Sequence, residues 1–161
     1  MEYKYIIILI VIILFFIIYL SLKKFDGNIS VNEKQFSLDS YESKDGVKAF
    51  FFINKDGIIY KYIIYGRTNY SEVGTDIVAS AISSLSINTT NSINNFAAVK
   101  VDFICKEVNS KPYLECSLKK FNTKQGKYEA VVLIKSLKQG LSDIEKEYGS
   151  KYLQVIENKD K

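Results

Sequence analysis

The chain has no histidine and no tryptophan, only one proline, and two cysteines among 161 residues. Each scarcity excludes something. Without histidine, the side chain that titrates near neutral pH is missing, and with it the commonest general base and metal ligand. Neither a Cys–His nor a Ser–His catalytic pair can be assembled from this chain alone, and Cys/His zinc spacing is impossible. Cys105 and Cys116 are too few for a disulfide scaffold. No cofactor and no metal is expected. Charge of one sign is lacking too. The first 24 residues hold three Lys and one Glu of the 22 basic and 18 acidic residues, which leaves the remainder at a net +2. Those charges are scattered rather than striped, so direct nucleic-acid binding is not expected.

The apolar content is concentrated at one end. Residues 5–22 read "YIIILIVIILFFIIYLSL", without a charge, and Lys23 and Lys24 close the run. About 20 apolar residues span a bilayer and about 17 can suffice. No small-x-small cleavage pattern and no cysteine follows the run, which argues against a removed signal peptide or a lipid-modified terminus. A single-pass membrane anchor is predicted. Lys4 precedes the segment, whereas Lys23, Lys24 and Lys34 follow it. By the positive-inside rule this puts the remaining domain in the cytoplasm, on a margin of about one charge.

Residues 23–46 are polar, broken by Gly27 and Gly46, and read as a linker or irregular arm. "VKAFFFIN" (47–54) and "IIYKYIIY" (58–65) flank a Lys-Asp-Gly turn and predict a hairpin. Residues 66–73 form a loop. Ile77, Val78, Ala81, Ile82 and Leu85 then share one helical face, with Thr75 or Asp76 available as the cap. "SINTTNSINN" (86–95) is a poor helix former, so this helix is expected to end early or fray. Residues 97–108 and 112–120 alternate and predict a second hairpin. Cys105 and Cys116 share the parity of Phe103, Leu114 and Leu118, so both are read as small core residues, with a cross-strand disulfide or a reactive thiol as the alternative. Val131, Ile134, Leu137, Leu141, Ile144 and Tyr148 mark a second helix, with Lys135, Lys138 and Glu145 on its wet side and Gly149 at its end. Residues 151–157 form a short last strand, and 158–161 a solvated tail. The expected fold is α+β, hairpin–helix–hairpin–helix–strand over residues 47–157, with two helices packed on one sheet of about five strands.

The stretch "GRTNYSEVGTDIVASAISSL" (66–85) has the frame of a reactive loop running into a helix start, yet it carries no base and no evident nucleophile. A cysteine in such a first turn would have its thiolate stabilised by the helix, and a histidine on the loop could activate it. Gly66-Arg67-Thr68, then Glu72 and Gly74, then Asp76-Ile77-Val78-Ala79-Ser80-Ala81 resembles the bacterial ribosomal-processing cysteine proteases. Their hallmark is Gly-His-Ala, a short glycine-containing loop, then Asp-Ile-Val-Cys-Ala. "DGIIYKYIIYG", "PYLECSL" and "EAVVLIKSLKQGLSDIEKEY" are similar to the first hairpin, central strand and second helix of that family.

The resemblance implies a domain that trims an N-terminal extension from a large-subunit ribosomal protein. It also puts Arg67 where the family has its histidine and Ala79 where it has its cysteine. A methyl group cannot attack a carbonyl, and a guanidinium is no base. Ser80 points about 100° away around the helix and has no base beside it. Catalysis by the inherited route is not expected. Three readings stay open. One is a membrane-anchored pseudoprotease whose Gly66, Arg67, Gly74, Asp76 and Ser80 form a loop binding a peptide or a ribosomal protein. The second is an active peptidase of the same family that processes the ribosomal protein extension, by a changed mechanism or with this copy inactivated. The third is a structural interaction module on the membrane surface, with a homodimer as one form of it.

Overall fold

The computed structural model describes residues 9–18, 26–29, 36–41 and 45–160. Of the expected anchor at 5–22, residues 9–18 are helical with their apolar side chains outward, Phe15 at 69% exposure. The rest of that segment lies outside the described residues. Among the described residues no helix is long and apolar enough to cross a membrane.

Five strands and two helices follow in the expected order. They are β1 (Val47–Ile53), β2 (Ile59–Tyr65), α1 (Ile77–Phe96), β3 (Val99–Val108), β4 (Lys111–Phe121), α2 (Lys124–Tyr148) and β5 (Leu153–Lys159). The sheet is mixed, in the order β3-β4-β2-β1-β5, with β5 parallel to β1 and all other neighbours antiparallel. The first hairpin turns through Asn54. Its side-chain oxygen accepts the N–H of Asp56 and of Ile58, and its carbonyl accepts that of Gly57.

Both faces of β1 are buried, which explains why "VKAFFFI" is nearly unbroken in apolar residues. Ala49 and Phe51 face the helices, in a core with Tyr62, Cys116, Val78, Ile134 and Leu141. Phe50 and Phe52 face the other way, with Tyr60, Ile63 and Tyr65. The described part of the arm covers this second face. Phe36 sets its ring edge-on to Phe50 and Phe52 at 4.8 and 5.1 Å, and Tyr41 does the same to Phe50 at 4.8 Å. A short 3-10 helix, Asp39–Tyr41, carries Tyr41 there.

Four expectations need correction. The first concerns α1, which does not end early but runs through the polar stretch to Phe96. Ser86, Thr89 and Thr90 lie on its buried face with Val78, Ile82 and Ile93. Two of these hydroxyls are satisfied internally: Ser86 Oγ donates to the Ile82 carbonyl at 2.7 Å and Thr90 Oγ1 to that of Ser86 at 2.9 Å. Thr90 Oγ1 also lies 2.6 Å from the Tyr62 hydroxyl. Packing onto Tyr62 outweighs weak helix propensity. By the same geometry Ile77, expected inward, is exposed.

The second correction is Cys105, which is exposed while Cys116 is buried. The parity itself holds, since Cys105 opposes Leu114 and Phe103 opposes Cys116. Parity chooses a face, but cover depends on where the helices reach. β3 is an edge strand, and Phe103 is 48% exposed there. Third, Lys138 and Glu145 are half-buried rather than wet: Lys138 pairs with Glu157, and Glu145 accepts the Val155 N–H at 3.0 Å. Both serve the neighbouring edge strand β5. Fourth, β5 runs two residues further than expected, through Asn158 and Lys159.

Candidate functional site

Asp76 organises the loop between β2 and α1. It is the N-cap of α1, and its Oδ1 accepts the Ala79 N–H at 2.8 Å. Its Oδ2 accepts the Thr68 hydroxyl and the N–H groups of Tyr70 and Ser71, the latter two at 3.2 and 3.3 Å. One buried carboxylate thus closes the loop onto the helix. Burial pushes this carboxyl upward. The Ala79 amide, the Thr68 hydroxyl and the Ser71 and Tyr70 amides outweigh it and hold the group below the usual carboxylate range.

Two glycines shape the loop ends. Gly66 has φ +114, and a Cβ there would meet the Gly46 carbonyl oxygen at 2.6 Å. Gly74 has φ +95 with open space around it, so conformation alone selects glycine. Asn69, with φ 52, is the residue type that best tolerates the left-handed region after glycine. Tyr70 pins the loop from outside, its ring edge-on to Tyr148 and Tyr152 at 5.5 and 5.0 Å.

Between this loop, the first half of α1 and the β3–β4 hairpin runs a groove of about 800 Å³. Its lining includes Gly66, Arg67, Gly74, Asp76, Ala79 and Ser80, so the fold brings the loop residues singled out in the sequence to one cavity. Ile64, Ile82 and Leu114 give it an apolar floor, and Ser83, Ser84 and Cys105 line it as well. The size suits a peptide or small-molecule site.

The chemistry at the two key positions is now specific. The Arg67 guanidinium is drawn to the β3–β4 turn. Nε and an Nη donate to the Ser110 carbonyl at 3.3 and 3.2 Å, and the same Nη lies 3.7 Å from the Glu107 carboxylate. Its charge is therefore shared with Glu107. The Ala79 N–H, which would greet a bound oxyanion, is already taken by Asp76. Ser80 Oγ donates to the Asp76 carbonyl at 2.9 Å, bound back to its own helix. The Ala79 donor at this helix start is thus occupied, and a negative charge sits beside it.

Sequence reasoning missed Cys105 as a groove residue. Its parity was legible, but the gap in helix cover that exposes it was not. The other thiol is out of play. Burial raises the Cys116 thiol, the Glu115 charge adds to this, and the Tyr62 hydroxyl only partly offsets it, which leaves the group at about 11. Among the described residues no group of three or more Cys, Asp or Glu side chains could hold a metal ion.

The family model for the cysteine protease Prp matches residues 47–154. Among solved structures, SMU.848 from Streptococcus mutans superposes with a TM-score of 0.60 at 22% identity, over 72% of this chain and 97% of that one. The essential ribosomal processing protease Prp from Staphylococcus aureus, with a covalently linked product peptide, gives 0.58 at 19% identity, over 70% and 99%. The same protease with a substrate peptide gives 0.55 at 18%, again over 70% and 99%. At these identities the likeness is one of fold. No curated protein matches the chain.

Proposed function

The chain belongs to the family of the cysteine protease Prp, and from that premise we propose that it is a non-cleaving member. In this reading it binds an extended peptide in the groove beside α1 and is held at a membrane by residues 5–22. The observation that carries the reading is the pairing of a retained groove with altered chemistry. The groove between loop, helix and hairpin is present, while Arg67 and Ala79 stand where the resemblance puts histidine and cysteine. No histidine elsewhere in the chain can substitute. The Staphylococcus aureus relative takes a substrate peptide and a product peptide, which supports a peptide as the ligand. The apolar floor and the serines of α1 suit an extended backbone better than an isolated acidic group, because Glu107 and Asp76 offset the positive charge.

The direct test uses the full chain in detergent or lipid nanodiscs. Fluorescent peptides covering the N-terminal extension of a ribosomal protein are titrated while their integrity is followed by mass spectrometry. Saturable binding without cleavage, weakened by Ser83→Arg in the groove wall, supports the reading. Absence of binding to every peptide sinks the groove assignment. Cleavage sinks the loss of chemistry.

One observation favours a second reading. Cys105 is an exposed thiol on the groove wall and Cys116 is buried, so a displaced thiol nucleophile would have to be Cys105. Cleavage that persists in Cys105→Ala would remove that alternative. Cleavage lost in it would make the chain an active peptidase of changed mechanism.

A further inference from the structure

The two edges of the sheet are finished differently. At the β5 edge, α2 reaches over: Glu145 accepts the outward Val155 N–H at 3.0 Å, and Lys138 pairs with Glu157. That edge has an outward backbone donor engaged from within the chain, under a charged side-chain pair. Among the described residues the β3 edge has no such cover. β3 is ten residues long and mostly exposed, with Phe103 at 48% and Ile104 at 41%. Among the described residues it pairs only with β4, on its inner side. A long exposed edge carrying apolar side chains is a template for another strand.

We infer that a second copy of this chain covers the edge, with the two β3 strands antiparallel about a two-fold axis at Ile104. The register follows from the strand itself. Pairing with β4 is irregular between Lys100 and Val101, and the turn follows Val108, so the regular stretch is 101–108, with Ile104 and Cys105 at its middle. Symmetric pairs must also match faces, because opposed residues in an antiparallel pair point the same way. That leaves few registers, and charge separates them. An axis at Asp102 opposes two aspartates. An axis at Phe103 sets Lys100 against Lys106 twice. An axis at Cys105 pairs no opposite charges. The axis at Ile104 sets Asp102 against Lys106 of the second copy, and the reverse, with Ile104 against its own equivalent between them. Asp102 already lies 3.3 Å from Lys119 across β4, so it would bridge two lysines. Exposed charge pairs add little affinity but choose the register; the buried apolar surface and the strand hydrogen bonds hold it.

This pairing changes the groove. Phe103 of the second copy falls opposite Cys105, on the helix-bearing face. Each groove then gains an aromatic wall from the neighbouring molecule, and the half-exposed ring is covered. The inference is independent of whether the groove retains chemistry.

The test uses the full chain in detergent micelles. Directly opposed residues of an antiparallel pair have Cα atoms about 4.5–5.5 Å apart, within disulfide reach. Ile104→Cys in a Cys105→Ser background should form a disulfide-linked dimer on mild oxidation. Adding Asp102→Lys should abolish that product, and adding Lys106→Asp on top should restore it. A dimer held by the apolar N-terminal segment alone would give no cross-link at position 104 and would overturn the inference. So would cross-linking through the native Cys105 but not at position 104, or a link that survives Asp102→Lys. A chain that stays monomeric, as it would if β3 received a strand from another protein, overturns it too.

Discussion

Replacing Asp76 by asparagine isolates one charge at the centre of the loop. Asparagine caps helices about as well as aspartate, so the Ala79 bond can survive. The second oxygen cannot be matched: an amide nitrogen would then face the N–H groups of Tyr70 and Ser71, which now donate to Oδ2. Hydrogen bonds to a charged group contribute about 1.5–3 kcal/mol each, and an N-cap about 1 kcal/mol. The bonds share one atom, and Tyr70 and Ser71 are exposed enough to take up water, so the losses do not sum. A loss near the lower end, about 2 kcal/mol, is expected for Asp76→Asn and about 3 kcal/mol for Asp76→Ala. With a urea dependence of about 1.5 kcal/mol per M, these correspond to midpoints lowered by about 1.3 and 2 M.

Tyrosine near-UV circular dichroism of the full chain in detergent would follow the transition. The pH dependence has a defined sign. The folded carboxyl lies below its unfolded value, so its contribution is complete above about pH 5 and is lost as pH falls through the folded value. The asparagine variant should therefore lose less stability than the wild type on acidification below about pH 4. If Asp76→Asn matched the wild type at neutral pH and followed the same acid limb, the carboxylate would not be what holds the loop.

Two further outcomes test packing and exposure. Gly126→Ala sets opposing effects against each other. Alanine favours a helix interior by about 1 kcal/mol, but its Cβ would lie 2.6 Å from the Ala98 carbonyl oxygen; net destabilisation of about 1–3 kcal/mol is expected from the forced backbone shift, and a raised urea midpoint would refute the contact. Titration with a chromogenic disulfide at pH 8 should modify Cys105 rapidly in the folded chain and Cys116 only on unfolding, because Cys116 is fully buried and its thiol lies at about 11.

The order of elements was legible because it rests on short-range signals: Asn54 to Gly57 between two apolar runs, Asp76 before a periodic stretch, and Gly149 after one. What was not legible depends on distant partners. Ser86 and Thr90 look like helix breakers until Tyr62, two dozen residues earlier in the chain, is placed against them. Glu145 looks wet until β5 brings Val155 beneath it. The arm's Phe36 and Tyr41 gave no periodic signal, yet the unbroken apolar run of β1 required something to cover its second face. In the site, the frame was readable from Gly66, Gly74 and Asp76. That Arg67 turns to Ser110 and Glu107 was not, since those acceptors sit on a hairpin some forty residues away.

The placement of the arm bears on how a membrane-held groove would be presented. Residues 26–29 join the domain beside the end of β4, where the Phe121 N–H donates to the Gly27 carbonyl. The loop meets the opposite end of the same strand, where the Gly66 N–H donates to the Pro112 carbonyl at 3.1 Å. Nine steps of about 3.3 Å separate Pro112 from Phe121, so the two ends lie roughly 30 Å apart. Under the proposed anchoring at 5–22, the chain leaves the bilayer at one pole of the domain and the groove opens at the other. A peptide carried on a bulky partner could then reach the groove without that partner approaching the lipid. Pairing through β3 changes this arrangement. A two-fold axis perpendicular to the sheet reverses strand direction, so in the dimer the groove of one copy would face the pole of its neighbour that carries the arm. Two anchors in one bilayer would then have to emerge at opposite ends of a ten-stranded sheet. The sheet would lie along the membrane rather than stand on it, and both grooves would open sideways. Anchoring and edge pairing therefore constrain each other, and cross-linking at position 104 in nanodiscs as well as in micelles would show whether both hold at once.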